Sequence, residues 1–264
     1  MSDAPIGIFD SGIGGLTVAA AVMRALPHES ITYLGDTARV PYGPKGPATV
    51  RRYAVQIAEW LVGQGVKAIV IACNTATAHA LDAVRAAVAV PVIGVVDPGA
   101  RAAVAASRSG RIGVIGTAGT VASGAYERAI AARRPDAVVR ARACPLFVPL
   151  AEEGWTDHPA THLVARTYLD GLEDIDTLVL GCTHYPLLAP VIAGVVGPGV
   201  QLVDSAAETA HALAAELAAR GLLAAGHVAP RHRVVATDAP EAVLRVGQRF
   251  LGTALRDVEV VHFT

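Results

Sequence analysis

The sequence predicts an α/β protein with parallel sheets flanked by helices, built as two similar halves. Short apolar runs alternate with stretches of helical period almost from end to end, the pattern of strand–helix–strand units. Polar residues stand at the carboxyl ends of those runs, at Asp10, Cys73, Asp97, Cys182 and Asp204, where ligands bind in such sheets. Three landmarks also recur at a steady offset. Asp10 and Gly116 lie 106 positions apart, Cys73 and Cys182 lie 109, and Asp97 and Asp204 lie 107. Such a repeat, three features in order, points to a duplication.

From the N-terminus, residues 5–9 form a short apolar strand, Asp10-Ser-Gly-Ile-Gly-Gly15 a turn, and residues 16–26 a helix. A second strand covers 30–34 and ends at Gly35-Asp-Thr37. The prolines and glycines of 40–47 make that stretch a loop, since they cannot sit inside an element. Val50, Ala54, Ile57, Ala58 and Leu61 keep helical spacing over 48–62. Residues 67–72 are a continuous apolar run, as expected of a parallel strand buried on both faces. Helix 76–88, strand 90–95 and helix 99–107 complete the first half. Strand 111–116 and helix 120–133 open the second, followed by 138–150, expected to be extended and punctuated by Pro145 and Pro149. Helix 161–172, strand 177–180, helix 187–196, strand 200–203 and helix 206–222 follow. Strand 233–236, helix 241–251 and strand 258–261 close the chain.

At 264 residues and 53% hydrophobic, the chain can bury a sizeable core. Its net charge of −1 is spread without a basic stripe or acidic tail, which argues against nucleic acid or a membrane surface as partner. No signal segment is read at the start, and the apolar runs break well short of a membrane span, so a soluble, cytoplasmic protein is expected. The three cysteines, Cys73, Cys144 and Cys182, are too few for a disulfide framework.

Two of those cysteines organise the chain. Ala68-Ile-Val-Ile-Ala-Cys73-Asn74-Thr75 and Thr177-Leu-Val-Leu-Gly-Cys182-Thr183-His184 each deliver a thiol from a strand to a helix start. A thiol has a reference pKa of about 8.5 and works as its thiolate. A helix N-terminus favours that anion, and Asn74, Thr75 and Thr183 add donors. Facing halves would put the two sulfurs on opposite walls of one cleft. One thiolate could then remove a proton from a carbon while the opposite thiol returns one, inverting the configuration. Pyridoxal phosphate would need a Schiff-base lysine. Lys45 lies in the Pro-rich loop and Lys67 before a strand, so a route without cofactor is expected.

The pieces Asp10-Ser-Gly-Ile-Gly-Gly15, Val40-Pro-Tyr-Gly43, Ala72-Cys-Asn-Thr-Ala76, Gly116-Thr-Ala-Gly-Thr-Val121, Gly181-Cys-Thr-His-Tyr-Pro186 and Val203-Asp-Ser205 resemble the cofactor-independent glutamate racemases, in the aspartate/glutamate racemase superfamily. They occur in that family's order and cover most of the chain. Gly181 to Pro186 and the Asp10 turn are the most specific, and 236–240 is looser. The resemblance implies that Cys73 and Cys182 are the acid/base groups, Cys73 acting on the proton of D-glutamate and Cys182 on that of L-glutamate. It implies that Asp10 assists Cys73, and that His184 and Glu152 assist Cys182. Asp10, Ser11, Tyr42, Gly43, Asn74, Thr75, Thr183 and His184 match substrate-binding positions, with Thr117 and Thr120 as additions. Two flavodoxin-like domains are implied, 1–97 plus 208–264 and 98–207, with the active site between them. So are a homodimer and a supply of D-glutamate for peptidoglycan.

Other readings compete at single residues. Cys182-Thr-His184 lacks the spacing of a paired zinc site, so no metal is expected. Gly12, Gly14 and Gly15 suggest a dinucleotide turn, but position 17 is Thr. A cysteine hydrolase with His184 as base and a non-catalytic binding protein are the rivals from other classes. Glu152 and Glu153 are adjacent, and only the family pattern selects Glu152.

Overall fold

The computed structural model describes residues 3–252 and 255–263. Ten strands and eleven helices alternate among them. The first half runs β1 (Ile6–Asp10), α1 (Leu16–Ala25), β2 (Ile31–Gly35), α2 (Pro47–Gly63), β3 (Ala68–Ile71), α3 (Asn74–Ala87) and β4 (Val92–Gly94). The second runs α4 (Val96–Ala106), β5 (Arg111–Gly116), α5 (Ala118–Ala122), α6 (Ala125–Ala131), β6 (Val138–Ala143), α7 (Phe147–Glu152), α8 (Pro159–Leu169), β7 (Thr177–Gly181), a 3-10 turn (Tyr185–Leu188), α9 (Ala189–Val196) and β8 (Gln201–Asp204). Then come α10 (Ser205–Ala219), β9 (His232–Ala236), α11 (Pro240–Leu251) and β10 (Glu259–Val260).

The strands form two parallel sheets, ordered β10-β9-β2-β1-β3-β4 and β6-β5-β7-β8. The run 2-1-3-4 thus occurs twice, as the duplication requires. Phe9 pairs with Ile71, and Ile115 pairs with Leu180. The end of β1 therefore lies beside the run-out of β3 towards Cys73, and the end of β5 beside that of β7 towards Cys182. Both pairs are central strands, buried throughout apart from Arg111 at the start of β5, which explains their mainly apolar character. β9 and β10 extend the first sheet at the β2 edge, so the C-terminal part returns to the first half. The expected divisions at 97/98 and 207/208 fall in the first turns of α4 and α10.

One apolar cluster spans both halves. It joins Ile8, Leu16 and Val22 to Leu178, Tyr185, Leu213 and Phe250 through α1, α10 and α11. The halves are consequently held by shared core as well as by chain. No helix among the described residues is long and apolar enough to cross a membrane.

Two stretches depart from the sequence expectation. The single helix expected over 120–133 is broken into α5 and α6 at Gly124, whose φ of 62° only a residue without Cβ adopts readily. The extended segment expected over 138–150 becomes helical from Phe147. Pro149 is third in that six-residue helix, where its missing N–H is one that no helix could satisfy internally.

Lys67 shows what its position before β3 is for. Its Nζ lies 2.5 Å from Glu29 Oε2, with both side chains 2% exposed. Nζ also donates to Leu222 O at 2.7 Å, and Glu29 Oε1 accepts from Ala224 N. This buried pair ties the end of α10 to the first sheet. Removing one partner strands the other charge, so Lys67→Met is expected to lower the unfolding free energy by about 3–5 kcal/mol in urea titration. The double replacement Lys67→Met/Glu29→Leu should recover most of that loss; a single variant as stable as the parent would refute it.

Candidate active site

Strand ends from both sheets converge on a cavity of about 40 Å³. Its lining includes Ser11, Tyr42, Gly43, Cys73, Asn74 and Thr75 from the first half, and Thr117, Cys182, Thr183 and His184 from the second. Both cysteines thus face one space, as the pseudosymmetry predicts. Asp10, Glu152 and Thr120 are not part of that lining and support it from outside.

On the first wall, Cys73 is the N-cap of α3, its Sγ accepting from Ala76 N at 3.4 Å. Its thiol lies 3.7 Å from Ser11 Oγ. Asp10, at the end of β1, accepts from Gly12 N at 2.9 Å through Oδ2, while Oδ1 is buried without a hydrogen-bond partner. Burial raises the Asp10 pKa, against the charge of His184 and the backbone N–H groups of Gly12, Gly15 and Ser11. The Cys73 thiol is pushed up to about 12, first by burial and then by the Asp10 charge, despite the Ala76 and Ser11 hydrogen bonds. The helix start was expected to favour a thiolate here; desolvation and a neighbouring carboxylate prevail over it, so the resting sulfur is protonated.

The second wall is built differently. Cys182 is followed by the 3-10 turn, so no α-helix begins directly after it. An imidazole stands there instead. His184 Nδ1 lies 3.8 Å from Cys182 Sγ and 3.4 Å from Thr183 Oγ1, and Nε2 lies 2.9 Å from Glu152 Oε1. The Phe250 ring of α11 packs edge-on against His184 at 5.1 Å, and Arg249 donates to Glu152 O at 2.8 Å. Burial works against an imidazolium, but the hydrogen bonds to Cys182 and Glu152 outweigh it and raise His184 to about 10. A cation therefore stands beside Cys182, whereas Cys73 has an acid beneath it. The duplicated frame carries Gly116 where the first half has Asp10, and Thr75 where the second has His184.

Hydroxyls close the space between the halves. Thr75 Oγ1 lies 2.8 Å from Thr117 Oγ1 and 3.2 Å from Thr120 Oγ1, with 3.0 Å between the latter two. Gly119 N donates to Gly43 O at 2.9 Å. Tyr42 donates its hydroxyl to Asp36, which also binds Arg39 and Thr237.

The chain as a whole is similar to known proteins. Residues 16–213 match the family described as Asp/Glu/Hydantoin racemase. The chain belongs to that family. It is an amino-acid racemase, an isomerase. It is 56% identical to the glutamate racemase of Geobacter metallireducens over 255 residues, covering 96% of this chain and 94% of that one. A glutamate racemase isoform of Bacillus anthracis superposes with a TM-score of 0.95 at 41% identity, covering 99% and 98% of the two chains. The glutamate racemase of Francisella tularensis in complex with D-glutamate gives 0.93 at 40% identity, with the same coverage.

Some of this racemase's site was invisible beforehand. Val148 lines the cavity from α7, in the stretch expected to be extended, and nothing in its sequence setting marks it. Choosing Glu152 over Glu153 becomes a geometric matter once α7 forms, because Glu152 is the one hydrogen-bonded to His184. Tyr126 also escaped notice, although it donates to Asn74 Oδ1 at 2.7 Å.

Proposed function

We propose that this racemase interconverts L- and D-glutamate without a cofactor, by a two-base proton transfer at Cα. The observation that carries the proposal is the pair of thiols, one from each half, lining a single cavity with different assistants. Glutamate is the substrate by which the Geobacter and Bacillus relatives are named, and D-glutamate is bound in the Francisella one.

In the resting enzyme Cys73 is a thiol, and the His184 imidazolium stands beside Cys182. L-glutamate meets Cys182 as the base. Cys182 takes the Cα proton, and Cys73 delivers its own to the opposite face, yielding D-glutamate with the two protonation states exchanged. Asp10 supports Cys73 in the reverse direction, while His184, held by Glu152, supports Cys182. The donors Ser11, Asn74, Thr75, Thr117 and Thr183 hold the carboxylates, and Thr120 supports Thr75 and Thr117 from behind. Tyr42 and Gly43 shape the wall. A space of about 40 Å³ is far below the roughly 300–1,000 Å³ of ordinary ligand pockets, so admission of substrate requires the walls to part.

The same reading includes domains 1–97 plus 208–264 and 98–207, a cytoplasmic homodimer, and provision of D-glutamate for peptidoglycan. Its direct test is incubation of either enantiomer in deuterated water. Both should racemise, seen by circular dichroism, and the product enantiomer should carry deuterium at Cα. Binding without exchange would leave a binding protein, and racemisation of aspartate but not glutamate would reassign the substrate.

A further inference from the structure

The chain breaks at Gly124 and restarts as α6, with Tyr126 its second residue. Tyr126 is 1% exposed, and its ring reaches across to the first half. Oη donates to Asn74 Oδ1 at 2.7 Å. The ring sits against two glycines. A Cβ on Gly99 would stand 3.1 Å from Tyr126 Oη, and one on Gly181 would stand 3.1 Å from Cε2. Tyr126 therefore touches the residue after Cys73 and the residue before Cys182.

The hydrogen bonding has a consequence at Asn74. A phenol has one proton to donate. That proton goes to Asn74 Oδ1, and the carboxamide is held one way round. Its Nδ2 is then left buried without a hydrogen-bond partner, on a residue that lines the cavity between the cysteines. A buried unpaired amide donor is costly unless something accepts from it. A substrate carboxylate is such an acceptor, and Asn74 would reach it through a charge-assisted bond.

We propose that Tyr126 is a positioning residue for substrate: its hydroxyl locks the Asn74 carboxamide so that Nδ2 binds a carboxylate of the amino acid. The inference rests on the reading of the cavity as the racemisation site. Because Asn74 binds ground state and transition state alike, loss of the lock weakens binding more than turnover. The lock is also a tie between the halves, since Asn74 starts α3 whereas Tyr126 belongs to α6.

The test is steady-state kinetics of Tyr126→Phe, which keeps the ring and removes the hydroxyl. KM for both glutamate enantiomers should rise about tenfold, as for loss of one bond to a charged group, with kcat within about threefold. Combined with Asn74→Ala, the further replacement Tyr126→Phe should change KM less than about twofold, because the two act as one unit. Asn74→Ala alone should raise KM for both enantiomers at least as far, and it reads the contact if Tyr126→Phe does not fold. An unchanged KM in Tyr126→Phe, or additive effects in the double variant, would overturn the inference while wild-type racemisation leaves the site reading intact. A wild-type enzyme that exchanges no Cα proton would overturn both.

Discussion

Cys73→Ser and Cys182→Ser are each expected to reduce racemisation of glutamate by about 10³-fold or more, at the upper end of what a placed acid or base contributes. A hydroxyl is a far weaker acid than a thiol, so serine supplies neither the base on one wall nor the acid on the other. The loss should leave a one-sided remnant. With Cys182 intact and Cys73 replaced, L-glutamate should still wash deuterium into Cα from the solvent with retention, while D-glutamate should not. Cys182→Ser should show the mirror image. The measurement is mass and chirality of each recovered enantiomer after incubation in deuterated water. Unimpaired racemisation in either variant, or exchange of both enantiomers by one cysteine, would be incompatible with two facing bases.

The second large effect lies with the assistants. Asp10→Asn and His184→Asn are each expected to lower kcat by about 10²–10⁴-fold, but on different proton transfers. Mirror-image substrates in an achiral solvent have an equilibrium constant of one, so kcat/KM must stay equal in the two directions for every variant. The asymmetry has to be sought in isotope effects. Removing His184 takes the cation from beside Cys182, 3.8 Å away in the parent. Abstraction from L-glutamate then becomes the slower step. The primary isotope effect should grow with L-glutamate deuterated at Cα and shrink with the D-enantiomer. Asp10→Asn, acting on the wall of Cys73, should reverse that order. Glu152→Gln should resemble His184→Asn in kind and fall short of it in size, since it acts through the imidazole at 2.9 Å. Equal isotope effects for both enantiomers in both variants would remove the assignment of one assistant to each thiol.

The asymmetry has a structural origin that duplication alone would not produce. Each half presents a thiol where the third strand runs out, since that position follows from the repeated 2-1-3-4 sheet. The supporting charge then comes from non-equivalent places: the end of β1 in the first half, and the residue two beyond the cysteine in the second. The first wall is electrostatically hostile to an anion, with a buried carboxylate beside Cys73. The second holds a cation. The two walls therefore differ in charge, as the two-base inversion proposed above requires.

Much of this was legible in the residues because it depends on local pattern. Apolar runs and helical spacing are properties of neighbours in sequence, so β1, β3, β5 and β7 and the helices α1 to α4 lie within a few residues of their expected places. The thiols, Asp10 and His184 stand at the ends of those elements and were found with them. Glu152 required more. Its helix forms over a stretch with Pro145 and Pro149, where local preference argues for extended chain, and packing of Phe147 against Tyr168 and Tyr185 accompanies the turn instead. Tyr126 was hidden in the same way, since a continuous helix over 120–133 would have presented it elsewhere.

The sequence by itself thus determined the α/β architecture, the duplication, and two cysteines delivered to strand ends, because each rests on periodicity and order along the chain. Tertiary structure alone decided the chemical state of Cys73. Desolvation is set by what other elements lay over a group, and at Cys73 it reverses what a helix N-terminus would favour. It also decided which carboxylate meets His184, and that Asn74 leaves an amide donor unpaired at the cavity, since those facts belong to residues far apart in sequence and brought together only by folding.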